Sequence, residues 1–95
     1  MATPEATVKT KIKNWLKAND IWYCTPIGSG FGSAGVPDFI CSMRGRFLGI
    51  EAKAPGKLSN LSELQKFQRD AILASGGLWV VIDDPLQLKP LEQYL

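Results

Sequence analysis

The sequence is poor in cysteine and has neither a long apolar run nor an internal repeat. Its two cysteines, Cys24 and Cys41, lie inside apolar runs without the short paired spacing of a zinc site or a disulfide framework. They are expected to be buried thiols in a reducing compartment. No uninterrupted apolar stretch approaches the ~20 residues of a membrane-spanning helix. The opening residues, Met1 to Glu5, show no charged segment leading into an apolar one, so the expectation is a soluble, intracellular protein with no membrane partner. Low complexity is confined to the glycine-rich stretch 28–35. That stretch lacks the Gly-Lys-Ser/Thr ending of a phosphate-binding loop, which argues against a nucleotide cofactor.

What is present suits one small domain, residues 1–95, with 45% hydrophobic content and only modest stability. A chain of this size can gain stability and contact surface by pairing with a copy of itself, so a homodimer is expected. Net charge is only +2, but it is unevenly placed. Lys9, Lys11, Lys13 and Lys17 crowd the start, and Arg44, Arg46, Lys53 and Lys57 crowd the middle. Lys9, Lys13 and Lys17 recur at i, i+4 on a helix, where like charges repel. A polyanion nearby would relieve that repulsion, and a solvated helix face would tolerate it.

Thr3 and Pro4 read as an N-cap and a first-turn proline, and Val8, Ile12, Trp15 and Leu16 continue at helical spacing, which predicts a helix over 4–18. A first strand follows over 21–24. Two further strands, 38–43 and 46–54, are joined at Arg44-Gly45 as a hairpin whose turn type is left open. Asn60 and Glu63 have capping-box spacing before a second helix that runs to Ser75 and stops at Gly76-Gly77. A short strand over 78–82 and one or two helical turns in the tail complete the order α, β, β, β, α, β. The tryptophans Trp15, Trp22 and Trp79 sit in apolar patterns and are assigned to core packing rather than base stacking.

With a two-residue turn, Met43 faces Arg46, and counting back along both strands sets Asp38 opposite Glu51. Directly paired residues have Cβ atoms about 4.5–5.5 Å apart, near enough for two carboxylates to share one cation. Without a cation they would repel. The two-residue period puts Lys53 on the face of Glu51, while Phe39, Cys41, Met43, Leu48, Ile50 and Ala52 point to the other, apolar face. Carboxylates with a backbone carbonyl suit a hard ion such as Mg²⁺, which can acidify a water and neutralise charge on a phosphate under attack. An ammonium beside that water can orient it, stabilise the developing hydroxide, or lose its own proton where a nearby metal lowers its pKa.

Val36-Pro37-Asp38, then Glu51-Ala52-Lys53 thirteen residues on, then Gln65 in the next helix, resembles the PD-(D/E)XK nucleases, most closely the virus-type replication-repair nuclease (VRR-NUC) group. The likeness extends to Glu5 in the first helix, to Gly35 and the run Phe47 to Lys53, and to Gly76-Gly77 before the last strand. It implies an α/β fold with a restriction-endonuclease-like αβββαβ core, a small mixed sheet flanked by helices. It further implies that Asp38 and Glu51 bind Mg²⁺ (or Mn²⁺ in its place) with the Ala52 carbonyl, that Lys53 is catalytic, and that Gln65 and Glu5 support the site. The implied substrate is DNA, branched or Holliday-junction-like, cut by a dimer in a phage- or virus-infected cell or bacterial host. Ala52 stands where many relatives carry Val, which leaves the carbonyl in place.

Blander readings remain beside these. An Asp followed by Glu-x-Lys also describes a solvated sheet edge. Glu5 falls on the stripe of Val8 and Ile12, where a carboxylate needs a partner, yet it is also an ordinary first-turn acid. Gln65 also fits a surface helix position. The rival functions are a non-catalytic DNA-binding module and a nuclease aimed at flaps, RNA or a specific duplex. Ninety-five residues hold no separate recognition domain, which favours selection of DNA structure over DNA sequence.

Overall fold

The computed structural model describes residues 2–27 and 34–95. It is a small α/β domain with a four-stranded mixed sheet and helices. Helix α1 (Pro4–Ala18) begins as expected, with the Thr3 hydroxyl accepting from Ala6 N–H and Pro4 in the first turn. Strands β1 (Trp22–Cys24), β2 (Phe39–Met43) and β3 (Arg46–Ala52) form an antiparallel meander. Helix α2 (Glu63–Ala74) then carries the chain to β4 (Leu78–Ile82), which lies parallel to β3 at the far edge. The tail, Pro85–Tyr94, is a ten-residue 3₁₀ helix, longer than the one or two turns expected. The expected glycine-rich loop falls mostly on 28–33, outside the described residues.

The hairpin has the anticipated register, with Met43 opposite Arg46 and Phe39 opposite Ile50. Both turn residues have positive φ, 50° at Arg44 and 82° at Gly45, which makes it a type I′ turn matched to strand twist. Arginine in that conformation is held by its own head group, which donates to the carbonyls of Asn19 and Asp20 at the end of α1.

Apolar alternation then places the core. Phe39, Cys41, Met43, Leu48, Ile50, Ala52 and Ile82 all face one side and are buried against Val8, Ile12 and Leu16 of α1 and Leu88 and Leu91 of the 3₁₀ helix. On the opposite face, among the described residues, α2 lies over β3 and β4, where Ile72 approaches Gly49 and Gly77. Two expectations are corrected there. Trp22 pairs with Ser42 and so points away from the core, leaving it 64% exposed. Cys24 shares that face and is exposed too, whereas Cys41 is buried and its thiol is pushed up to about 12, chiefly by desolvation. Trp15 packs at the core margin and donates to Glu92, and Trp79 lies half-buried under the Arg69 guanidinium.

The second helix is capped two residues later than expected. Ser62, not Asn60, is the N-cap: its hydroxyl accepts from Gln65 N–H, and Gln65 Oε1 accepts from Ser62 N–H. Gly35 packs against this first turn with φ +79°, and a Cβ there would stand 2.4 Å from the Leu64 carbonyl carbon and 2.8 Å from Gln65 N. Gly35→Ala therefore combines left-handed strain with a backbone clash, and is expected to destabilise the fold by about 2–4 kcal/mol, read as a lower urea midpoint at unchanged slope.

Candidate functional site

The site forms where β2 and β3 run past the end of their ladder. One step beyond Phe39–Ile50, the register sets Asp38 against Glu51, and one further sets Pro37 against Ala52. Proline has no N–H, so it cannot complete the pairing with Ala52. The Ala52 N–H instead goes to the Asp38 carboxylate, with Oδ2 accepting at 2.9 Å. In an extended strand a residue's N–H and C=O point to the same side, so the Ala52 carbonyl is directed toward Asp38 as well, with no proline donor to meet it. The next amide, Lys53 N–H, alternates to the other neighbour and donates to the Ile82 carbonyl of β4. Pro37 is itself seated on Gly49, where a Cβ would come within 2.7 Å of its ring. A bare position in β3 thus helps to place the proline that places Asp38.

Glu51 is 4% exposed. Its Oε1 accepts from Gln65 Nε2 at 3.1 Å, and its Oε2 is buried without a hydrogen-bond partner among the described residues. Burial first, then the neighbouring Asp38, push the Glu51 carboxyl up to about 8, with Lys53 pulling the other way and Glu5 adding a smaller upward push. Ionised, Glu51 Oε2 has nothing to accept from; protonated, it can donate to Asp38, which lies close enough to share the proton. At neutral pH the shared proton therefore stands in the place that a cation would take, and the ionised pair needs that cation.

Gln65 ties the group together. Its Nε2 donates to Glu51, while its Oε1 accepts from Lys53 Nζ at 3.1 Å and from the Ser62 amide at 2.9 Å. The same side chain caps α2 and spans the acid and the amine, so the helix start and the site are one hydrogen-bonded unit. Ser62 is a residue that sequence reading missed, although Ser62-x-x-Gln65 is as good a capping box on paper as Asn60-x-x-Glu63.

Glu5 is partly exposed rather than buried on the apolar stripe, and Lys9, one turn on, stands between it and Asp38. Of the basic residues in the middle of the chain, Lys53 turns to the acids. Arg44 is engaged at the end of α1, and Arg46 lies over the Tyr94 ring. Among the described residues, no set of three or more His, Cys, Asp or Glu side chains is close enough to hold a metal ion. The donors that fit a cation are therefore the orphaned Glu51 Oε2, Asp38 Oδ1 and the Ala52 carbonyl. That all-oxygen set suits Mg²⁺, which keeps several waters and needs few protein ligands. No described helix is long and apolar enough to cross a membrane. Comparison of the chain with family models, with curated proteins and with solved structures finds no match.

Proposed function

We propose that this protein is a Mg²⁺-dependent deoxyribonuclease with a restriction-endonuclease-like αβββαβ core of the VRR-NUC kind, hydrolysing phosphodiester bonds in branched or junction-like DNA as a homodimer. The observation that carries the reading is the buried, unpartnered oxygen of Glu51 beside Asp38, with Lys53 held alongside by Gln65. A buried carboxylate oxygen without a partner is costly, and a bound cation would account for its retention beside Asp38.

When bound between Asp38 and Glu51, Mg²⁺ would supply the acidified water and the charge neutralisation that phosphodiester hydrolysis needs. The chain's own residues do the remaining work. Asp38 is fixed by the Ala52 amide, so its second oxygen faces the site without rotating away. Gln65 directs Glu51 Oε1 to itself and leaves Oε2 for the ion. Lys53, half-buried and held among the described residues by the Gln65 side-chain oxygen, has further N–H groups to orient the attacking water or to hold the charge that builds on it. Gln65 and Glu5 support rather than react.

The test is a panel of linear, flapped and four-way DNA incubated with Mg²⁺, with Mn²⁺ and with chelator. Cutting of branched forms that requires a divalent ion is the expected result. Binding that survives chelation, with no cleavage of any form, would identify a non-catalytic module instead, and cleavage confined to one duplex sequence or to RNA would replace the substrate.

A further inference from the structure

The three lysines of α1 that share one face do not share one environment. Lys9 Nζ lies 3.5 Å from Glu5 Oε2 and 3.7 Å from Asp38 Oδ1, bridging the helix to the sheet end. Neither contact is a hydrogen bond, and the Lys9 side chain is 37% exposed, so the ammonium sits in the acidic group without being locked into it. Lys53 differs: it is held at hydrogen-bond distance by Gln65. The oxygen that Lys9 faces, Asp38 Oδ1, is the one left over after Oδ2 has taken the Ala52 amide. Behind it is the buried Glu51 Oε2, which Lys9 does not satisfy.

We propose that Lys9 is a built-in counter-cation of this cluster: its ammonium bridges Glu5 and Asp38 when no divalent ion is bound, gives way when one enters, and so sets the ion concentration at which the site loads. The inference rests on the proposed nuclease reading, since it concerns the same site. Its physical basis is simple competition. Two cations cannot both sit against Asp38 Oδ1 without repelling, and the monovalent one is on a flexible, solvated four-carbon stem. The looseness of both ion pairs keeps the energy of withdrawal small. With the ion absent, the same bridge offsets the repulsion between Glu5 and the strand acids, so that the protein folds with its acids already assembled.

The experiment is a Mn²⁺ titration, followed through the paramagnetic resonance of the free ion, on wild type, Lys9→Met and Lys13→Met, with melting temperatures taken with and without the ion. Lys13 lies one turn further along the same helix face and controls for the general loss of a positive charge. Lys9→Met is expected to take up Mn²⁺ about tenfold more tightly than wild type. It should also melt a few degrees lower in chelator, with the deficit closing at saturating Mn²⁺. Lys13→Met stays within about twofold of wild type, because water and salt screen its greater distance. Equal affinity in wild type and Lys9→Met, or as large a gain in Lys13→Met, overturns the inference and leaves the nuclease reading standing. Absence of uptake by all three proteins overturns both.

Discussion

Lys53→Ala is expected to lower metal-dependent DNA cleavage at least a hundredfold, which corresponds to about 2.7 kcal/mol of barrier. The loss should fall on the rate of the chemical step while DNA binding and ion uptake stay near wild type. The reason lies in how Lys53 is held. Its backbone N–H is committed to β4 through the Ile82 carbonyl, so truncation leaves the strand intact. Its Nζ makes one side-chain hydrogen bond, to Gln65 Oε1, and that oxygen keeps the Ser62 amide as a partner when the amine is gone. The fold therefore loses little, and the measured deficit belongs to the ammonium's action on water and phosphate. Single-turnover cleavage of a four-way junction by the two proteins at saturating Mg²⁺ checks it, and comparable rates would remove Lys53 from the mechanism.

The residues in that account differ in how visible they are without a structure. The pairing of Asp38 with Glu51 follows from parity: six apolar side chains on one face of a hairpin leave one register, and a one-residue slip would bury the charged set instead. The limits of α1 follow from local chemistry, a threonine cap and a first-turn proline. What local chemistry cannot rank is two competing caps, and Asn60 and Ser62 are both good ones. The choice falls to Ser62 because Gln65 must reach the sheet, a tertiary requirement. The tail shows a similar limit, since i+3 and i+4 patterns differ little over ten residues containing Pro90. Trp22 and Cys24 are misplaced by an apolar run that reads as core, because nothing in the run reveals that both lie on the face opposite the α1 side of the sheet and are exposed there. The meeting of Lys9 with Asp38 is also out of reach, since it depends on how α1 crosses the sheet end. Its i, i+4 partner Glu5 is legible; the strand acid is not.

Glu51→Gln should separate function from stability in opposite directions. The variant is expected to lose measurable Mg²⁺ uptake and cleavage, because one of two carboxylates is gone and an amide nitrogen takes the place of an acceptor. It is also expected to be more stable than wild type in chelator at pH 9, by about 1–3 kcal/mol, the usual cost of a buried polar group left unsatisfied. The pH dependence fixes where that gain appears. Between the ordinary value of 4.5 and about 8, an unfolded chain has released the Glu51 proton while the folded chain still holds it. Raising the pH through this window therefore draws wild type toward unfolding, and above about 8 the folded protein carries the bare carboxylate in full. Below about pH 4.5 both states hold the proton, and wild type and Glu51→Gln converge. The amide that replaces the carboxyl has no proton to lose, so the variant's stability is flat across the window apart from the remaining acids, and the new N–H group can donate to Asp38. Saturating Mg²⁺ should raise the wild-type melting temperature at pH 8 and leave the variant unmoved, because only the Asp38–Glu51 carboxyl pair can give up its shared proton to the ion. Melting curves at pH 5, 7 and 9 with and without Mg²⁺ test all of this together. A variant no more stable than wild type at pH 9 would mean that Glu51 Oε2 is satisfied in the protein, and the case for a cation there would lose its foundation.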